Sequence, residues 1–478
     1  MKKLISIVLI FITVNFISIG CEPGQNEALD SPRQEIQAAH TRPEPKEQTD
    51  LSGYEFPMRA CLTPTKKQED LFYVLGLAAG VGYANINAIE RDESFSLKTK
   101  LEKKVEFCKN FFEDLGKAEE LSLADLSWQD FLTDNMELLK LMTGLKTLNL
   151  SENKLKDISV LQHLTQLENL SLERNEIEDF SPLGHLKKLK KLNLIGNPAE
   201  NHEYMSSLEN LLDLEISMND TTDLRHLKNL DRLILYSNGH LSKIESLSLT
   251  KKLRILTIFR AEISDLSPLM NLNNLEKLTI VSNKVKDLTP LANLSRLNRL
   301  DLTNNPISDV PPLSGLTNLE TLVLTRTKVK EFGNLKHLKD LSFVAVDRCD
   351  LENLKGFEQL RQIKSINAVD NRLTNLNELQ PLVQLLFLNA DKNQLKDISA
   401  LRNLINLKTL TLRFNQIQDI RPLTNLILLE DLGIRSNRIK DLTPLKNHSS
   451  LKYFFWKDNP GADITVLQHL PHYSRFAR

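Results

Sequence analysis

The residues able to do chemistry are few and widely spaced. Four cysteines stand at Cys21, Cys61, Cys108 and Cys349, and no two form a C-x-x-C pair, so a zinc site is not indicated. Aspartate recurs in a D-[I/L/V]-x-P-L stretch, with Phe in the second place after Asp179, at Asp179, Asp265, Asp287, Asp309, Asp419 and Asp441. A row of carboxylates suggests calcium, but calcium needs several oxygen ligands per site and each stretch offers one. Capping of a short helical turn, with proline in its first positions, is the reading preferred. His163, His185, His337 and His469 share one repeat position, and only the first two stack directly, so they read as surface residues and not as chelators. No nucleophile motif, phosphate loop or metal spacing appears, so no catalytic residue, metal or cofactor is assigned and the chain is not expected to be an enzyme.

Composition points the same way. The 478 residues carry 61 basic and 62 acidic side chains, a formal net charge of −1. Nucleic-acid binding, which needs a basic surplus, is not expected. At this length several domains or a repeat array should be present.

The array is found by stepping through the chain. From Asn153, steps of 22 residues reach Asn175, Asn197 and Asn219. A step of 19 and one of 23 lead through Asn238 to Ala261. Steps of 22 then run through Asn283, Asn305, Thr327, Cys349, Asn371, Asn393, Asn415 and Asn437 to Asn459, giving 15 units. Five and three residues before each reference position stand pairs such as Leu148 and Leu150, or Leu410 and Leu412, the alternation of a short strand with one face inward. Leu155, Ile158, Leu161 and Leu164 supply the returning arm. A buried Asn at the sharp turn offers donors and an acceptor to backbone groups that have no ladder partner. Thr327 and Cys349 can fill the same slot as weaker donors, which argues against a catalytic role for Cys349.

The unit resembles the 22-residue leucine-rich repeat of internalins and related bacterial surface proteins. That resemblance implies an α/β solenoid, a horseshoe or arc with a parallel β-sheet on its concave face. It covers residues 121–478, about 15 repeats. Missing from the chain are the L-P-x-T-G sorting motif and the appended modules of many internalins, which puts host-cell adhesion in doubt.

Residues 54–120 precede the array. Leu71, Leu75 and Ala78, then Leu97, Leu101, Val105, Cys108, Phe112 and Leu115, recur at helical spacing, with Gly116 just past the second set. A small helical cap over the exposed end of the stack is expected; an independent module with its own ligand is the alternative. Cys61 and Cys108 are candidates for a disulfide after export.

The first residues read as an export signal. Lys2 and Lys3 precede an apolar stretch from Leu4 to Phe16, and Ser18-Ile19-Gly20-Cys21 closes it. This resembles the lipobox of bacterial lipoproteins, which implies cleavage after residue 20 and lipidation of Cys21. Ser18 stands where that motif favours Leu; simple secretion and a retained membrane anchor are the alternatives. Glu22, where Asp would favour inner-membrane retention in Gram-negative sorting, implies the outer membrane. Residues 21–53 are polar and dotted with proline, and read as a disordered tether.

Side chains six, four and two residues before each reference position should face solvent on the sheet. The middle of that face is apolar: Ile195, Ile234, Tyr236, Ile255, Phe259 and Val281, with Arg260 and Met218 at its edge. Tyr, Phe, Met and Arg are enriched at interface centres, so a protein partner is expected here. Further on, Asp347 and Asp391 give way to Arg413, Arg435 and Lys457, and an anionic glycan is a second, weaker possibility. The expected role is a membrane-anchored protein-binding scaffold. The alternatives are an envelope protein that self-associates and an adhesin for a host or prey surface molecule.

Overall fold

The computed structural model describes residues 106–124 (without 109 and 112) and 136–476 (without 200, 201, 221, 238–240, 331 and 334). The expectations for residues 1–105, including those for Cys21 and Cys61, lie outside the described residues. Residues 55–478 belong to one compact unit.

From Glu120 onwards its described residues form a solenoid of leucine-rich coils. Sixteen strands, β1 (Glu120–Ser122) to β16 (Tyr453–Phe455), form one parallel sheet in chain order. Register advances by one 22-residue step, as in Thr147 to Asn169 to Lys191. Inward leucines such as Leu148 and Leu150 are buried, and so are Leu155, Ile158, Leu161, Leu164 and Leu167 on the returning arm. Each coil therefore closes a slice of one continuous core, and no slice could bury its leucines alone.

The Asn slot behaves as its chemistry requires. Asn175 Oδ1 accepts from the backbone N–H groups of Asn153 and Leu155, 3.0 and 2.9 Å away. Its amide nitrogen donates to the carbonyls of Leu150 and Leu172, at 2.9 and 3.0 Å. One side chain thus satisfies backbone groups in two neighbouring coils. At two of the three positions where Asn is replaced, smaller donors keep part of this: Thr327 Oγ1 donates to Leu324 O at 2.7 Å and Cys349 Sγ to the same carbonyl at 3.0 Å. Ala261, the third, has no side-chain donor to give.

The aspartates of the returning arm take up the first N–H of the short 3₁₀ turns. Asp179, Asp265, Asp287, Asp419 and Asp441 each accept from the backbone N–H two residues on, at 2.8–2.9 Å. Asp309 does not follow the expectation. The residue two positions on is Pro311, which has no N–H to give, and Asp309 accepts from Ser308 Oγ instead.

The described part of the N-terminal region is helical from 106 to 117 and buries Cys108, Phe111 and Leu115. The helix runs through Gly116 to residue 117. A Cβ on Gly144 would lie 2.8 Å from the Gly116 carbonyl, so this close approach of the helix end to the coil before β2 depends on glycine at 144. Cys108 is held in a disulfide. At the other end a helix, Tyr473–Phe476, closes the stack. Phe476 is buried edge-on against Phe454, ring centroids 5.7 Å apart, and its carbonyl accepts from Trp456 Nε1 at 2.9 Å.

A candidate binding surface on the parallel sheet

Twelve of the sixteen strands are three residues long; the four from β5 to β8 have five. They are β5 (Asp213–Ser217), β6 (Arg232–Tyr236), β7 (Ile255–Phe259) and β8 (Lys277–Val281). The 19-residue step lies between β5 and β6, and no 3₁₀ turn forms there among the described residues. The apolar residues singled out above fall largely on these long strands.

Tyr236 and Phe259 are register partners, their ring centroids 4.9 Å apart and tilted by 35°. Tyr236 remains 38% exposed, which for a tyrosine on a sheet face leaves a large apolar edge in water. Beside this pair the patch is more interrupted than the sequence suggests. Ile234 is flanked in register by Glu215 and Thr257, and Ile255 by Arg232 and Lys277. Ile195 sits beyond the end of β4 (Lys191–Asn193), a full strand away from Tyr236 with Ser217 between. Val281 is corrected: it is only 9% exposed, because it lies directly beside the Phe259 ring in register. Met218 is likewise buried. Arg260 is exposed in a left-handed backbone conformation (φ 52°) at the sheet's edge. What the fold brings together is Tyr236, Phe259 and Val281 in one row, with Ile234 and Ile255 alongside.

The charges around this row are ordered. Arg232 bridges Asp213 and Glu215, at 2.5 and 2.7 Å, and lies next to Ile255. Burial, then the carboxylates of Glu215 and Glu173, push the Tyr236 hydroxyl above its usual range. A cleft of about 220 Å³ opens on β2 to β5, lined by Asn149, Asn169, Ser171, Asn193, Asp213 and Glu215 among others. A partner seated on the rings would therefore find amide and carboxylate groups on one side.

Beyond β9 (Arg299–Asp301) the face differs from what alternation predicts. Val323, Ala345, Ser365 and Asn367 are buried although they occupy outward positions. Ser365 lies between Phe343 and Phe387 in register, which shelter it from both sides. Burial raises the carboxyl pKa values of Asp301 and Asp391, and takes that of Asp347 to about 6. Asp347 accepts from the Val369 N–H at 2.7 Å and Asp391 from Arg413, by backbone N–H at 2.6 Å and Nε at 2.7 Å. These carboxylates brace the sheet. Of the basic trio, Arg413 is engaged by Asp391 and Arg435 by Asp458, which leaves little charge free for an anionic glycan.

Among the described residues no group of three or more His, Cys, Asp or Glu is placed to hold a metal. Cys349 is a buried free thiol whose pKa is raised by burial. His448 escaped sequence reasoning. It occupies the place that Leu426 and Leu470 hold in adjoining coils, is fully buried, and lies 3.1 Å by Nε2 from the Leu423 carbonyl. The signal was a histidine in a column that is leucine in most coils, where only Thr250 is also polar.

The family model for Leucine Rich repeats (2 copies) matches residues 143–185, 295–337 and 405–447. The chain carries leucine-rich repeats. No curated protein matches it by sequence. Among solved structures it is similar to the internalin inlF of Listeria monocytogenes, at 25% identity over 84% of this chain and 98% of that one, TM-score 0.54. It is also similar to a leucine-rich-repeat protein of Leptospira interrogans, at 24% identity over 76% and 91%, TM-score 0.59. The ectodomain of an Arabidopsis thaliana receptor kinase, GASSHO1/SCHENGEN3, solved in complex with CASPARIAN STRIP INTEGRITY FACTOR 2, shares the fold at 20% identity over 68% and 42%, TM-score 0.50.

Proposed function

We propose that this protein is an exported, lipid-anchored scaffold that binds a protein partner on the sheet face at β5 to β8. The carrying observation is the exposed Tyr236 ring paired with the half-buried Phe259 on two of the four longest strands. Aromatic side chains bury large area at small entropic loss, and they concentrate at the centres of protein interfaces. The leucine-rich framework supplies rigidity and a wide face, and the absence of any catalytic constellation in the sequence fits a binding role. The anchor rests on the lipobox resemblance ending at Cys21, and placement at the outer membrane on Glu22 after it.

Photo-crosslinking capture with the wild type and with Tyr236→Ala/Phe259→Ala tests the surface. A discrete partner should be captured by the first and reduced about tenfold or more with the second, as expected for two interface-centre aromatics. Equal capture by both, at unchanged thermal stability, sinks the assignment. Labelling with radioactive palmitate, with and without Cys21→Ala, tests the anchor separately.

A further inference from the structure

Each coil makes a two-residue turn just before its strand, and the repeat serves as its own control there. Across the twelve 22-residue coils, the first turn residue is polar in nine, from Thr165 through Arg361 and again at Ser449. In three consecutive coils it is Val383, Ile405 and Ile427. The second turn residue is polar in eleven of the twelve; the exception is Leu428, next to Ile427. All twelve turns have the same backbone to make, so the fold does not call for aliphatic residues at these three. Nor are they hidden: Val383, Ile405, Ile427 and Leu428 are 45–53% exposed.

The following strands pair in register, Phe387 to Thr409 to Asp431, and Asn406 Nδ2 donates to Val383 O at 2.8 Å. The three turns therefore stack about 4.8 Å apart and form a ridge of aliphatic knobs roughly 10 Å long. Its surroundings are basic. The five stretches that run through these turns and their two neighbours, residues 358–364, 380–386, 402–408, 424–430 and 446–452, hold Arg361, Lys364, Arg402, Lys408, Lys446 and Lys452. Against these six stand two acids, Glu358 and Glu430; Glu430 pairs with Lys452 at 2.6 Å and Lys408 at 3.9 Å, and the stretches stay net basic by four charges. In a chain with 61 basic and 62 acidic residues overall, these stretches stand out as net basic.

We propose that this ridge is a docking surface for an anionic lipid bilayer. Aliphatic knobs on turn tips can enter the acyl boundary, while the lysines and arginines around them meet lipid phosphates. A protein partner fits less well, since interface centres favour Tyr, Trp and Arg over Val and Leu, and the ridge holds no aromatic residue. The surface is distinct from the Tyr236–Phe259 row and does not depend on that assignment.

The test uses the full chain carrying Cys21→Ser, so that no acyl group supplies the attachment. Its sedimentation is measured with vesicles of phosphatidylglycerol mixed into phosphatidylcholine and with phosphatidylcholine alone. The ridge variant adds Val383→Ser, Ile405→Ser, Ile427→Ser and Leu428→Ser. Serine occupies the same turn positions at Ser295, Ser449 and Ser450, so the variant should melt like its parent. The parent should prefer the anionic vesicles and lose binding as salt rises, and the ridge variant should partition about tenfold more weakly or worse. Equal binding by parent and variant overturns the proposal, as does a parent that ignores anionic vesicles. Self-association of the parent in light scattering, lost in the variant, would assign the ridge to a second copy of the chain and also overturn it.

Discussion

Asp347 shows how one side chain can hold both a structural bond and an energetic penalty. Its carboxylate accepts the Val369 N–H across the strand gap, yet burial takes its pKa to about 6. Unfolded, it ionises near 4. Between those values the folded state binds the proton more tightly, so this group's contribution is fully present below about pH 4 and is lost as pH rises through 6. Asp347→Asn keeps an acceptor for Val369 and removes the charge. It should stabilise the protein by roughly 1–2 kcal/mol at neutral pH, a gain that shrinks towards pH 4. Urea unfolding at several pH values reads this out; a gain independent of pH would mean that the charge is not its source. None of this was legible in the sequence, where Asp347 stood as an exposed acid on the face. It is half-buried, and that shelter depends on what neighbouring strands place beside it.

At the scale of elements, the strand and its Asn turn were readable because every coil repeats the same requirement. Asn153 and its successors mark the points where backbone groups of two coils must be satisfied at once. The Asp-to-turn bond was readable too, and failed only at Asp309, where the proline placed to help the turn removed the donor. The extra strand β1 was missed as a repeat, because Leu121 and Leu123 are followed by Leu126 where the Asn would stand. The closing helix Tyr473–Phe476 was also not foreseen, since four residues carry no period. It matters out of proportion to its length. Phe476→Ala would uncover Phe454 and leave the last slice of core open to water. The expected loss is about 3 kcal/mol, in line with other buried Phe→Ala changes. Thermal unfolding followed by circular dichroism checks it, and an unchanged midpoint would show that the final coil is held by its own leucines alone.

The described array is a one-dimensional stack in which each coil touches its neighbours, so its stability should be a sum of coil and interface terms. The short step between β5 and β6 breaks the regularity in the same place where strands lengthen and aromatics surface. Irregular coils in such an array are where a repeat gains individuality, and the sequence registered this as a change of step from 22 to 19. Which outward residues stay accessible was not legible. Tyr236 and Val281 stand at the same repeat position, and only their neighbours separate an exposed ring from a covered methyl group.

Cys349 gives the protein a clock of its own. The thiol sits deep in the array, in the slot where other coils place asparagine, and reagents in solvent cannot reach it while its coil is closed. Its alkylation rate under native conditions should therefore report the opening of the middle of the stack, separately from fraying at the ends. Phe476→Ala should loosen the C-terminal coils and leave that rate nearly unchanged if coils open one by one. A rate that rises with the lost stability would show instead that the solenoid opens as a single body.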